Sequence, residues 1–521
     1  MAEIITFTSS VYYTLLCLLV ITLFLKLKSS FSRHAAGLRL PPGPWPLPVI
    51  GNMHCLLGAL PHHAMRRLAR QYGPVMLLRL GHVPTVVVSS PEAAREVMKT
   101  HDAALANRPM YATADIITYG GRNIAFAPYT SRHWKEVRRI CATELLSPKR
   151  VLSFRPVREE ETARLVAAIA ASATASPAVV NVSERIKVLM NDILMRCAIG
   201  DRCPQREEYI ESLDEALGLV AGFNLIDLFP GSRLAMTLGA GSLRAARQVH
   251  DRIHGIMQAI IQDHAAKLAN NGGGGSEGSG CRDDILDVLL RLQRDGGRET
   301  ALTTEVLNGV LFDLFSAGSE TTSTTTLWAM SELIRNPHLM ERAQSEVRQV
   351  LRGKTRVVEV DIQGRLPYLQ LVIKETLRLH HPVPLLLPRL CAGPTKIIGY
   401  DVPQGATIFI NAWAIGRDEK SWSNANEFKP ERFEEELIDY SGLDFRFLPG
   451  GSGRRICPGM IFGLSNIEIT LASLLYHFNW KLPGGADPCE LDMTEAYGIT
   501  ARRKTDLLLE ATSFVPYLPM A

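Results

Sequence analysis

The run Phe447-Leu448-Pro449-Gly450-Gly451-Ser452-Gly453-Arg454-Arg455-Ile456-Cys457-Pro458-Gly459 places one cysteine in a glycine-rich loop, beside two arginines and ahead of a long apolar segment. A thiolate held this way suits the axial position of a haem iron. The glycines let backbone pass close to a flat macrocycle and aim N–H groups at the sulfur, which tunes a coordinated thiolate. The arginines can pair with the carboxylates of such a macrocycle. A cysteine taken alone is more often a small buried hydrophobe. Its companions decide between the two.

The stretch Asn308 to Arg335 reads as a long helix, apolar at its start, and contains Ala317-Gly318-Ser319-Glu320-Thr321-Thr322. Glycine and clustered threonines are poor helix formers, and the plain account is a weak spot where hydroxyls bond back to the preceding turn. The chemical account is that small Ala317 and Gly318 open a groove over a cofactor while Glu320 and Thr321 relay protons. Glu375-Thr376-Leu377-Arg378 sets an acid and a base three apart on one helix face. Trp134 and Arg138 sit four apart on another predicted helix. In isolation the first pattern means surface charge and the second an ordinary amphipathic face.

Together these stretches resemble the cytochrome P-450 haem-thiolate monooxygenases. The family loop runs Phe-Gly-x-Gly-x-Arg-x-Cys-x-Gly, and Gly451, Gly453, Arg455, Cys457 and Gly459 match it. Gly450 stands where the family has phenylalanine, which predicts a gap beside the thiolate or more solvent access to it. The resemblance implies haem b, with its iron bound by Cys457 and with Gly451 and Gly453 shaping the loop. It implies Arg455, Arg138, Trp134 and Arg389 at the propionates, and Ala317 and Gly318 lining the oxygen groove. Thr321 is then the oxygen-side alcohol and Glu320 the acid. Glu375, Arg378 and Arg432, the last in Pro430-Glu431-Arg432-Phe433, match the family's structural triad. Phe312, Val383, Leu386 and Ile499 fall on stretches that line the family's substrate pocket.

These residues need a large scaffold to position them. The expected fold is mainly α with a smaller β-rich part, a cytochrome P-450 fold preceded by an N-terminal transmembrane helix. Val75 to Leu80 and Thr85 to Ser89 read as strands around a Gly-His-Val-Pro turn. Helical periodicity dominates from about 130 to 380, strands and loops return from Val383 to Pro430, and a long helix follows Pro458. Asn270 to Gly280 is a Gly/Ser tract expected to form a surface loop. Residues 1–28 read as a membrane anchor, 29–48 as a basic and proline-rich linker, and 49–521 as the haem-thiolate domain. Ile4 to Leu25 is long enough to span a bilayer, and Lys26, Lys28, Arg33 and Arg39 follow it, which orients the body to the cytoplasm. A cleaved signal peptide is the rival reading.

The chain has 521 residues, 46% hydrophobic and 21% charged, which is globular rather than disordered. A net charge of +4, with no basic stripe, argues against nucleic acid as a partner. Nine cysteines at irregular spacing form neither a disulfide framework nor a zinc pattern. Gly353-Lys354-Thr355 lacks the leading glycine of a phosphate loop, since Arg348 stands there. Asn181-Val182-Ser183 is a formal glycosylation sequon that a cytoplasmic body does not expose to the glycosylating enzyme.

The resemblance thus implies an endoplasmic-reticulum monooxygenase of the plant microsomal type. It takes electrons from NADPH–cytochrome reductase, with cytochrome b5 as a possible second donor, and uses O2 on a small lipophilic substrate. Terpenoids lead, followed by flavonoids, phenolics and indoles. A haem-thiolate isomerase, dehydratase or lyase on the same scaffold is the alternative, which reductase-dependent turnover separates. A non-catalytic haem-binding protein is a third, in which the Glu320–Thr321 pair has no purpose.

Overall fold

In a computed structural model, residues 37–173, 178–203, 205–220, 223–270, 283–295 and 302–515 are described. The expected membrane span and the Gly/Ser tract from 271 onward lie outside them. Among the described residues no helix is long and apolar enough to cross a membrane.

The helices that matter for function are α1 (Pro61–Tyr72), α2 (Arg132–Ile140), α3 (Val182–Ile199), α4 (Thr304–Arg335), α5 (Pro367–Leu379) and α6 (Met460–His477). Their starts follow from capping chemistry. The Ser131 hydroxyl accepts the Trp134 N–H at α2, and Asn181 Oδ1 accepts the Glu184 N–H at α3. Thr303 accepts the Val306 N–H and starts α4 ahead of the Asn308 expected from sequence. α3 ends where Gly200 turns left-handed, at φ 73°.

The strands are β1 (Val75–Leu80), β2 (Val83–Val88), β3 (Ala178–Asn181), β4 (Arg389–Leu390), β5 (Thr395–Ile397), β6 (Tyr400–Val402), β7 (Thr407–Ile410), β8 (Phe478–Lys481) and β9 (Leu508–Ser513). One sheet runs β1-β2-β7-β4, with β1 antiparallel to β2 (Val75 opposite Val88), β2 parallel to β7 and β4 antiparallel to β7. A second runs β3-β9-β8, and β5 pairs with β6. β3 corrects the reading of its neighbourhood as helical, because its partner is β9, more than three hundred residues away. β2 also begins at Val83, so the connection after β1 is shorter than the four residues expected from sequence.

α4 is buried along most of its length and runs through the main core. Trp328 Nε1 on this helix donates to the Ala501 carbonyl at 2.7 Å, and the Ala501 N–H donates to the Pro382 carbonyl at 2.9 Å. These bonds bring the C-terminal loop, the centre of α4 and the segment after α5 to one place. The proline-rich stretch lies along β1, where the Leu77 N–H donates to the Pro42 carbonyl at 2.9 Å.

Candidate active site

The Cys457 N–H donates to the Gly450 carbonyl at 2.9 Å, closing the glycine-rich loop on itself just before α6. Cys457 is solvent-accessible, although much of the body surrounds it. Burial pushes its thiol pKa up, opposed by the Gly459 N–H and the charge of Arg138. The gap expected beside Gly450 is not there. A Cβ on Gly450 would meet Met460 Sδ at 2.7 Å and Cys457 Cβ at 3.0 Å, because the Met460 side chain already occupies that side of the loop.

Guanidinium groups gather beside the same loop. Arg455 donates to the Ala106 carbonyl at 2.8 Å, to Ile124 at 3.0 Å and to Ala127. Arg138 donates to the Ile456 carbonyl, and Trp134 Nε1 to the Ile124 carbonyl at 3.1 Å, with Arg455 4.6 Å over the indole. Arg108, which sequence reasoning missed, donates to the Ala125, Leu387 and Pro388 carbonyls. Among the described residues none of Arg108, Arg138 and Arg455 forms an ion pair. Burial lowers the pKa of all three, and that of Arg455 falls to about 10 as Arg389 and Arg138 crowd it. Arg389 differs: it pairs with Asp102 at 2.7 Å and donates to the Ser452 carbonyl at 3.1 Å. Half-buried positive charge with no carboxylate in direct contact suits an anionic group, and the carboxylates of haem have that character.

On α4 the hydroxyls of Thr321, Thr322, Thr325 and Thr326 bond back toward the preceding turn. Thr321 Oγ1 donates to the Ala317 carbonyl at 2.6 Å, and Thr322 to Gly318 at 2.6 Å. Ala317 keeps an open surface and Thr321 a partly open one, in a helix otherwise mostly buried. Gly318 turns elsewhere. A Cβ there would come within 3.1 Å of Leu194 Cδ2, so the glycine permits close packing of α4 on α3.

Glu320 is buried and accepts the Thr500 hydroxyl at 3.0 Å. Burial raises its pKa, and Asp214 adds to this. It lines a cavity of about 10 Å³ with Lys187, Asn191, Asp214, Ser316 and Ser319. Neighbours in sequence, Glu320 and Thr321 therefore have different surroundings.

Glu375 is fully buried at the centre of an ion cluster. It accepts both Arg378 Nε and Nη2, at 2.6 and 2.7 Å, together with Arg432 Nε at 2.9 Å and the Lys429 N–H at 2.7 Å. Of the expected pocket residues, Phe312 is buried on α4, while Val383, Leu386 and Ile499 are half-buried. The Leu386 N–H donates to the Val383 carbonyl at 2.9 Å, and Leu386 adopts φ 49°, an uncommon conformation for a branched residue. Ile499 adjoins Thr500 and hence Glu320.

The family described as Cytochrome P450 matches residues 41–509. Premnaspirodiene oxygenase of Hyoscyamus muticus is 45% identical over 478 residues, 92% of this chain and 93% of its own length. Ent-cassadiene hydroxylase of Oryza sativa subsp. japonica is 48% identical over 474 residues, 90% of this chain and 91% of its own. A zebra fish cytochrome P450 solved with progesterone shares the fold at TM-score 0.70 and 26% identity, over 87% of this chain and 99% of that one. Fold and relatives together define a haem-thiolate oxidoreductase of the monooxygenase class. The chain belongs to the cytochrome P450 family.

Proposed function

We propose that this enzyme oxidises a small lipophilic terpenoid, with Cys457 as the thiolate ligand of haem b and electrons from an NADPH–cytochrome reductase. The observation that carries the site assignment is the open Cys457 thiol set among guanidiniums that have no carboxylate of their own. Arg108, Arg138 and Arg455 would hold the propionates, with Trp134 packed beside them and Arg389 contributing through Asp102. Haem so held supplies dioxygen activation. The chain's part is to orient the substrate on an apolar wall that includes Phe312, Val383, Leu386 and Ile499, and to deliver protons from the Thr321 and Glu320 side.

Support for the substrate class comes from relatives whose names specify premnaspirodiene, ent-cassadiene and 5-epiaristolochene. The second reading is a phenolic substrate, since a relative named for another product, desmethyl-deoxy-podophyllotoxin synthase of Sinopodophyllum hexandrum, is also 45% identical, over 501 residues. An endoplasmic-reticulum anchor is part of the proposal. Exposed Trp45, Leu47 and Val49 adjoin the β1–β2 turn, as do the short helices Leu225–Leu228 and Arg233–Leu238 with exposed Leu234, Met236 and Leu238, and such a face suits a membrane surface. Exposed Lys135, Arg139 and Arg454 would steer an acidic reductase. Arg138 and Arg150 are not counted with them, since both spend donors on backbone carbonyls. Microsomes carrying the protein and reductase, given NADPH and a panel of sesquiterpenes, diterpenes and phenolics, test the reading. Products one oxygen heavier from terpenes alone support it; turnover of phenolics alone, or turnover without reductase, overturns it.

A further inference from the structure

The arginines beside Cys457 are aimed by a short backbone segment, and that segment hangs from one carboxylate on α4. Asp313 Oδ1 accepts Asn123 Nδ2 at 2.6 Å, while its Oδ2 accepts the backbone N–H groups of Ile124 at 2.6 Å and Ala125 at 2.9 Å. Asn123 Oδ1 accepts the Phe126 N–H at 3.1 Å and so ties the next turn to the same anchor. Gly309, one turn earlier on α4, lets the segment approach: a Cβ there would lie 3.3 Å from the Asn123 Cα.

The carbonyls of the same segment carry the cluster. The Ile124 carbonyl accepts Trp134 Nε1 at 3.1 Å and Arg455 Nη1 at 3.0 Å, that of Ala125 accepts Arg108 Nε at 3.2 Å, and that of Ala127 accepts Arg455 Nη2. A peptide unit is planar, so fixing an N–H also fixes the carbonyl on its other side. We propose that Asp313 is a positioning residue for the cofactor: through residues 123–127 it sets the direction of Arg455, Arg108 and Trp134 toward the haem carboxylates. This rests on the reading that these groups meet haem, and it adds a residue that touches neither haem nor substrate.

The test uses the full chain in four variants, Asp313→Ala, Asp313→Asn, Arg455→Gln and Asp227→Ala. Asp227 is a comparable buried carboxylate that accepts the Ala112 N–H at 2.8 Å and Asn224 Nδ2 at 3.1 Å but holds no guanidinium of the cluster. Haem transfer to apomyoglobin and the reduction potential of the iron are measured at a temperature where each variant is folded. Asp313→Ala is expected to speed haem loss roughly tenfold, as loss of an outer-shell partner does. It should also lower the potential, because cations drift from the cofactor, with Asp313→Asn in between. Asp227→Ala should lower the thermal midpoint and leave both readouts unchanged. If Arg455→Gln moves haem loss but neither Asp313 variant does, the positioning role is overturned and the haem reading stands. If Arg455→Gln also has no effect, the haem reading itself falls. Equal shifts in Asp227→Ala and Asp313→Ala would reduce Asp313 to a general fold contact. Where Asp313→Ala does not fold, Asp313→Asn decides.

Discussion

Two arginine assemblies stand in this molecule, one buried and one half-buried, and they are built in opposite ways. Around Glu375, Arg378 and Arg432 find a carboxylate at salt-bridge distance and fill their remaining donors with carbonyls such as those of Ala425 and Ser423. Around Cys457, Arg108, Arg138 and Arg455 find carbonyls only. The first cluster is complete without a ligand. The second carries charge with nothing of opposite sign in direct contact, which is costly for a folded chain unless a ligand compensates it. Completeness is thus the physical difference on which the proposed haem role of the second cluster rests.

The largest expected effect tests whether the second cluster serves a thiolate-bound haem at all. Cys457→Ala should abolish the long-wavelength absorption of the reduced carbon monoxide complex, and persistence of that band would break the comparison outright. Next, Glu375→Gln should cost about 3–5 kcal/mol in urea unfolding, because Arg378 and Arg432 lose their counterion in a buried place. That loss should be alike with and without haem. Arg455→Gln should behave conversely. Haem affinity should fall roughly 10- to 100-fold, the worth of a charged hydrogen bond, while the haem-free protein unfolds no more easily. A haem-free protein destabilised as much as by Glu375→Gln would erase the distinction.

A smaller effect is expected at the loop itself. Gly450→Phe should cost about 1–3 kcal/mol from overpacking against Met460, and a second change, Met460→Ala, should recover most of it. Thermal unfolding of the single and double variants checks this. The smallest structural effect belongs to Thr321→Ala, whose hydroxyl bonds only within its own helix. Haem content should be unchanged and the fraction of NADPH electrons released as peroxide should rise. Unchanged coupling would remove Thr321 from the proton path.

Much of this was legible in the chain because it is local. The Cys457 loop gathers its glycines, arginines and cysteine within a few positions. Glu375 and Arg378 lie three apart on one helix, so their pairing needs only helical geometry. Directions and distant partners were not legible. Glu320 and Thr321 are adjacent in sequence yet have different surroundings, and the space beside Gly318 is taken by Leu194 of another helix. The vacancy expected at Gly450 was read from one residue's identity, without the Met460 side chain that fills it.

By itself, then, the sequence carried the mainly helical character with a smaller β-rich part and brought the motif residues into view, since periodicity and motif spacing act over short stretches of chain, while the family fold followed from the joint resemblance of those motifs. Only the tertiary structure decided which charges are matched. Asp102 reaches Arg389 and Asp313 reaches the Asn123–Ala125 segment across separations of 287 and 188 to 190 residues. Contacts of that span depend on how α4, β4 and the loops pack together, and no local pattern encodes them.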